Sequence, residues 1–382
     1  MESARIGAST RVRVSIPSPI PPKSRRNLLF NEFAPKFSSK SIQKATVLRC
    51  VRDQETVDPS LAQNYKSDEL INAIEVREWE NGKSVDEIAA KQGIRIRRHP
   101  AKASESPRNI LEKIVWDKVT EVSEFKKTKP LNLVKEAAEQ APPARDFLGA
   151  LKASYHRNGV PALIAEVKKA SPSRGILRED FDPVQVAKAY EQYGAACLSI
   201  LTDQKYFQGS FENLEVVRKA GVKCPLLCKE FIIETWQIYY ARAKGADAVL
   251  LIAAVLPDLD IRLMTMICKE LGLTALIEVH DEREMDRVLA IDGVQLIGIN
   301  NRDLGTFEVD ISNTKRLLEG ERGEIIRKKD IIVVGESGLF TPKDISYVQD
   351  AGVKAVLVGE SLIKKSDPGK AIAGLFGKDI SI

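Results

Sequence analysis

Charged residues in this chain recur at the ends of short apolar runs. Glu166-Val167-Lys168 closes one such run, and the i, i+2 spacing puts both charges on one side of an extended strand. Lys229-Glu230 closes another, Glu278 a third, Asn300-Asn301-Arg302 a fourth, Glu336-Ser337-Gly338 a fifth and Gly359-Glu360-Ser361 a sixth. A single charge at a strand end is ordinarily just solvated. Lysines, carboxylates and an arginine gathered at one mouth would instead shift one another's proton affinities, as acid–base catalysis near neutral pH requires. The turns Gly335-Glu336-Ser337-Gly338 and Val358-Gly359-Glu360-Ser361 carry a different signal. Glycine lets the backbone approach a ligand, and free N–H groups there suit a phosphate, which a β-branched residue at Gly338 or Gly359 would crowd.

The elements that would position these residues follow a repeating grammar. Eight apolar, β-branched runs occur at 162–167, 196–201, 225–228, 248–253, 274–279, 296–299, 331–334 and 355–358. Between them lie helical periods at 184–193, 214–220, 236–243, 259–271, 282–290, 314–318 and 343–350, several followed by a glycine suited to a helix C-terminus. Continuous apolar strands alternating with helices argue for a parallel sheet covered by helices. Eight units in this span predict a (β/α)8 TIM barrel, whose functional face is the carboxyl end of the strands and whose seventh and eighth turns commonly hold phosphate. An open doubly wound sheet is the alternative, but no G-x-G-x-x-G follows the first strand.

Residues 109–127 read as an amphipathic helix docked on this body, with Ile110, Leu111, Ile114, Val115, Val119, Val122 and Phe125 at three- and four-residue steps. We assign the barrel with its leading helix to 108–382 and a polar helical extension to 51–107. Residues 1–50 hold ten basic residues, eight serines and Pro clusters against only Glu2 and Glu32. That is transit-peptide composition without a secretory apolar core, and its Ser/Pro richness points to the plastid. We read the leader as disordered, since it offers too little apolar area to offset ordering entropy.

The same numbers exclude other classes. The chain of 382 residues carries net charge +5, but from Val51 onward there are 48 basic and 51 acidic residues, so no basic nucleic-acid-binding body is expected. The richest apolar run ends at Pro257-Asp258, too short for a membrane span. Five cysteines do not make a disulfide scaffold, and Cys224 and Cys228 read as packing residues, not metal ligands. His280 follows the fifth strand and reads as a loop histidine; His99 and His156 lie away from the strand ends. No P-loop, zinc pattern or Gly-x-Ser-x-Gly elbow appears.

Longer strings carry a resemblance. Ile164-Ala165-Glu166-Val167-Lys168-Lys169-Ala170-Ser171-Pro172-Ser173, Leu201-Thr202-Asp203-Gln204-Lys205-Tyr206-Phe207-Gln208-Gly209-Ser210, Cys228-Lys229-Glu230-Phe231, Leu276-Ile277-Glu278-Val279-His280, the run Ile297 to Leu304 and Glu336-Ser337-Gly338 occur in order. From about Asn109 to the C-terminus the chain resembles the indole-3-glycerol-phosphate synthases of tryptophan biosynthesis, and with its leader it is similar to plant plastid forms. The resemblance implies a lyase that converts 1-(2-carboxyphenylamino)-1-deoxyribulose 5-phosphate to indole-3-glycerol phosphate, CO₂ and water without cofactor or metal. It implies catalytic roles for Glu166, Lys168, Lys229, Glu278, Asn300 and Glu336, substrate contacts for Ser171, Arg302 and Ser337, and phosphate-facing backbone at Gly338, Gly359 and Glu360. Glu230 stands where Asp is usual, and Glu360 where Ser or Thr is frequent. A small phosphorylated substrate is the expected partner, with neither nucleic acid nor membrane. A sister barrel such as phosphoribosylanthranilate isomerase would share the phosphate turns, and a non-catalytic scaffold would share the fold.

Overall fold

The computed structural model describes residues 90–94, 96–100 and 104–381. The expected leader 1–50 and most of the expected extension 51–107 lie outside the described residues. Eight parallel strands carry the fold: β1 (Ala162–Val167), β2 (Cys197–Leu201), β3 (Leu226–Lys229), β4 (Ala248–Ile252), β5 (Thr274–Val279), β6 (Leu296–Asn300), β7 (Ile332–Glu336) and β8 (Ala355–Val358). They close as β1-β8-β7-β6-β5-β4-β3-β2, the ends joined by the pairs Ala162↔Ala355 and Ile164↔Cys197. Every expected strand is present, and the open-sheet alternative is excluded by that closure.

Three helices precede β1: α1 (Ile110–Thr128), α2 (Leu131–Gln140) and α3 (Phe147–Asn158). Single helices follow β1 to β5, namely α4 (Pro183–Gln192), α5 (Phe211–Lys219), α6 (Thr235–Ala243), α7 (Asp258–Glu270) and α8 (Glu282–Leu289). After β6 come α9 (Ser312–Leu318) and α10 (Glu321–Lys328), after β7 α11 (Pro342–Asp350), and after β8 α12 (Glu360–Ile363) and α13 (Ala371–Phe376). Local chemistry fixes their ends. Asp182 caps α4 with Pro183 in its first turn, and Thr341 and Asp344 form a reciprocal capping box on α11. Gly194 and Gly352, at φ 95° and 107°, follow α4 and α11 in a backbone conformation that favours glycine. The pattern reading did not mark α2, α3, α10, α12 or α13.

The strands are buried on both faces, which is why they read as unbroken apolar runs. Their alternate residues nevertheless enter separate clusters. Leu163, Leu198, Leu226, Val249, Ile277, Ile297, Val333 and Val356 pack with the surrounding helices. Ile164, Cys197, Leu227, Leu250, Leu276, Leu296, Val334 and Leu357 pack with each other and with Phe147 and Leu151 of α3 and Leu111 and Val115 of α1. This second set fills the barrel, and stepping onward by two from Ile164, Leu227, Leu276 and Val334 reaches Glu166, Lys229, Glu278 and Glu336. Strand periodicity alone therefore aims the charged side chains into the mouth.

Helix α1 crosses that mouth. Asn109 caps it through Glu112 N at 2.9 Å, and Ile110, Leu111 and Ile114 reach the cavity. Ile96 joins Leu111 and Val115 of this helix in one buried cluster, Trp116 Nε1 donates to Arg97 O at 2.7 Å, Ile94 is buried as well, and Arg98 pairs with Asp260 of α7. No helix among the described residues is long and apolar enough to cross a membrane.

Candidate active site

All twelve residues assigned catalytic, substrate or phosphate roles from the sequence border one cavity at the carboxyl ends of the strands. At its floor, Lys229 Nζ lies 3.1 Å from Glu278 Oε2 and 3.3 Å from Glu336 Oε2. Asn300 Nδ2 donates to Glu278 Oε1 at 3.1 Å, and Asn300 Oδ1 accepts from Arg302 N at 3.0 Å. Lys168 pairs with Glu166 beside them. Glu166, Glu278, Asn300 and Glu336 are buried, so these charges act on one another with little screening by water.

Proton affinities respond accordingly. Burial alone would lower the Lys229 ammonium, but Glu278, Glu336 and Glu166 outweigh it and hold the pKa above the ordinary lysine value. Burial pushes Glu336 up to about 8, with Lys229 opposing and Glu278 and Glu166 adding to the rise. Burial and neighbouring carboxylates therefore favour the protonated form of Glu336, while Lys229 is favoured as an ammonium. A lysine that stays charged in a largely apolar cavity can donate a proton and stabilise an oxyanion as it forms.

Ser337, at φ 65°, and Gly338, at φ 78°, turn the chain after β7, and Ser361 Oγ donates to Leu339 O at 3.0 Å to tie the two turns together. Glu360 is bracketed by cations: Arg174 Nε at 3.3 Å, Lys364 Nζ at 2.7 Å and Arg302 Nη2 at 3.8 Å. Burial raises its pKa, yet these partners hold it below the ordinary carboxylate value. Its charge, unfavourable to a phosphate on its own, is thus largely compensated. The glycines have a second role that the sequence did not reveal. A Cβ on Gly359 would strike Glu166 Oε1, and one on Gly338 would stand 2.7 Å from both Ile311 and Val309. Substituting either glycine would disturb the carboxylate or the packing as well as any ligand, so neither change reports on phosphate alone.

With this geometry in place, comparison with known proteins gives a direct result. Residues 111–375 match the family model for indole-3-glycerol phosphate synthase. The chain belongs to the indole-3-glycerol phosphate synthase family. It is 63% identical over 346 residues to the chloroplastic indole-3-glycerol phosphate synthase of Arabidopsis thaliana, covering 86% of each chain. It is 59% and 57% identical over 271 residues to the indole-3-glycerol phosphate synthases of Microcystis aeruginosa and Rippkaea orientalis, covering 71% of this chain and 90% and 91% of theirs. The sister isomerase and the non-catalytic scaffold give way to this membership.

What the sequence missed in this synthase-family site is mostly its apolar wall. Ile110, Leu111 and Ile114 of α1, Phe207, Phe231 and Phe340 border the same cavity as the charges. Their signal was present in the α1 period, but nothing local said which surface that helix covers. His280 also does more than occupy a loop: its Nδ1 lies 2.8 Å from Asn300 O, fixing the backbone of a site residue, and its Nε2 is 3.5 Å from Asp303. Cys224 and Cys228 are buried and free. Among the described residues no group of three or more His, Cys, Asp or Glu side chains is arranged to hold a metal ion.

Proposed function

We propose that the Lys229 cluster at the barrel mouth carries out the family's reaction. Membership makes the chain a carbon–carbon lyase of tryptophan biosynthesis that acts on a small phosphorylated substrate, 1-(2-carboxyphenylamino)-1-deoxyribulose 5-phosphate. The observation that carries the assignment is the Lys229 ammonium held 3.1 and 3.3 Å from two buried carboxylates, beneath an apolar wall suited to an aryl ring.

Ring closure joins the carboxylate-bearing aryl carbon to the ribulose C2 carbonyl, whose oxygen gains charge and needs a proton. Lys229 supplies it, because an ammonium both donates and stabilises the developing alkoxide. Loss of CO₂ returns the electrons of the broken carbon–carbon bond to the ring. Dehydration then removes the new hydroxyl as water together with a proton from the five-membered ring. Lys168 engages the substrate carboxylate or assists loss of water, and Glu166, paired with it, is the base. Glu278 and Asn300 orient the cluster, and Glu336 shares its proton. Ser171, Arg302 and Ser337 contact substrate, while the backbone at Gly338, Gly359 and Glu360 faces its phosphate. Their common position at one cavity supports these roles. The plastid stroma is the site of action, in line with the chloroplastic relative.

Turnover followed by the fluorescence of the indole product tests the assignment. Lys229→Ala should lower kcat by roughly 10²-fold or more, with a smaller change in KM. Near-normal kcat in Lys229→Ala but not in Lys168→Ala would exchange the two roles. Near-normal kcat in both would move the chemistry out of this mouth.

A further inference from the structure

Helix α1 buries a charge where its packing stripe calls for an apolar residue. Leu111, Ile114, Val115 and Val122 are buried, and Lys118, at the same helical spacing, is 2% exposed. Its Nζ lies 2.8 Å from Asp203 Oδ2, 2.9 Å from Glu230 Oε1 and 2.8 Å from Glu121 Oε2. Asp203 and Glu230 are 1% and 2% exposed. One ammonium thus joins the helix over the mouth to the segments just beyond β2 and β3. Breaking such a cluster leaves buried carboxylates without their counter-charge, so the parts it joins are held firmly.

The cluster surrounds the peptide that carries Lys229. Lys229 O accepts from Thr202 N at 3.2 Å, and Thr202 Oγ1 donates to Glu230 Oε2 at 2.9 Å. Glu230 Oε1 also accepts from Phe231 N at 2.8 Å. Asp203 Oδ1 takes the N–H groups of Tyr206 and Phe207 at 2.7 and 3.2 Å. The rings of Phe207 and Phe231, 6.0 Å apart, border the cavity, as do Ile110, Leu111 and Ile114 on α1 itself. Phe207 and Phe231 follow closely on Asp203 and Glu230, the partners of Lys118, and Ile114 lies one helical turn before Lys118 itself.

We propose that Lys118 is a positioning residue for the reaction: its ion pairs with Glu230 and Asp203 hold the Lys229 ammonium between Glu278 and Glu336 and set the apolar wall that faces the aryl ring. Lys118 does not line the cavity. It acts through the β3 end and the β2 loop, about which an uncharged contact would leave more freedom of register. This role rests on the assignment of Lys229 to the chemistry.

The full-length chain and the indole-fluorescence assay test it. Lys118→Met should lower kcat by about 10- to 100-fold, the penalty expected when reacting groups shift by roughly an ångström, with a smaller change in KM. A second readout is independent of general loosening. Glu336 is drawn down by Lys229 and raised by burial, Glu278 and Glu166, so its ionisation should give kcat an alkaline limb at about 8 in the unaltered protein, and an ammonium displaced from Glu336 should move that limb to higher pH. A folded Lys118→Met protein with unchanged kcat overturns the proposal, and so does a lower kcat with that limb unmoved. If Lys118→Met does not unfold cooperatively, Thr202→Val decides, because it removes the hydroxyl that links the Lys118 partner Glu230, at 2.9 Å, to Lys229 O, at 3.4 Å. Lower kcat with a raised limb in that variant supports the role, and unchanged kcat sinks it. Lys229→Ala is measured alongside. An active Lys229→Ala overturns the assignment of Lys229 itself, whereas an inactive one beside a fully active Lys118 or Thr202 variant overturns only the positioning role.

Discussion

Glu336 shows how a single side chain acquires its chemistry from its surroundings. It sits within reach of Lys229, and its Oε1 takes no hydrogen bond from the described residues. With its pKa raised to about 8, the carboxyl carries a proton below that pH and a charge above it. The ionised form binds the Lys229 ammonium more strongly and makes it a weaker acid. kcat should therefore decline as pH rises through about 8. Glutamine at 336 mimics the protonated form, so Glu336→Gln should keep activity below that pH within about tenfold and lose the limb. Measuring kcat against pH for both proteins checks this, and an identical limb in the variant would assign it to another group. The residue types at this cluster were legible in the sequence because each stands at the end of an apolar run. Their proton affinities were not, since these depend on distances among residues as much as about 170 positions apart, from Glu166 to Glu336.

At the scale of elements, the strands must leave room for the side chains they present. Gly298 of β6 pairs in register with Glu278 of β5 and belongs to the inward-facing series with Leu296 and Asn300. A Cβ there would collide with Glu336 Oε1 and come within 3.3 Å of Leu276 Cδ1. Gly298→Ala should displace Glu336 rather than unfold β6, lowering kcat by about tenfold while costing roughly 1–3 kcal/mol of stability. Kinetics and a thermal melt on the same preparation check it; full activity would mean that Glu336 tolerates the shift. The Gly298 position follows from strand alternation. Why it must be glycine does not, because the atom it avoids belongs to β7. Helix α1 presents the same division: its apolar period was readable, but the burial of Lys118 within that stripe was not, since Asp203 and Glu230 lie in the segments just beyond β2 and β3.

The whole molecule adds what no single element contains. Ile94 and Ile96 are buried, Ile96 in one cluster with Leu111 and Val115 of α1, and Arg97 O accepts from Trp116 Nε1 in the N-terminal half of that helix. Burying an aliphatic side chain contributes about 1.5–3 kcal/mol. A chain beginning at Arg108 should therefore melt about 5 °C or more below one beginning at Val51, given the roughly 2–4 °C per kcal/mol expected for a domain of this size. The chain beginning at Val51 should match the full chain in kcat and in cooperative unfolding, because residues 1–50 are rich in Arg, Ser and Pro and nearly free of acid, a composition suited to an unpacked leader. Differential scanning calorimetry on the three lengths checks both expectations. Loss of cooperative unfolding on removing the first 50 residues would give the leader a structural role.

The sequence by itself determined which residues meet. A strand period of two fixes the face of every side chain, eight alternating units fix closure into a barrel, and closure brings all strand ends to one mouth. Glu166, Lys229, Glu278, Asn300 and Glu336 were therefore bound to share a cavity once their strands were counted. Only the tertiary structure decided how they are held there: the glycines that make room for Glu166 and Glu336, the His280 contact on Asn300, the cations around Glu360 and the Lys118 cluster behind Lys229. Periodicity specifies a face and an end, but a partner is chosen by distance in the folded chain, and these partners come from different strands and loops.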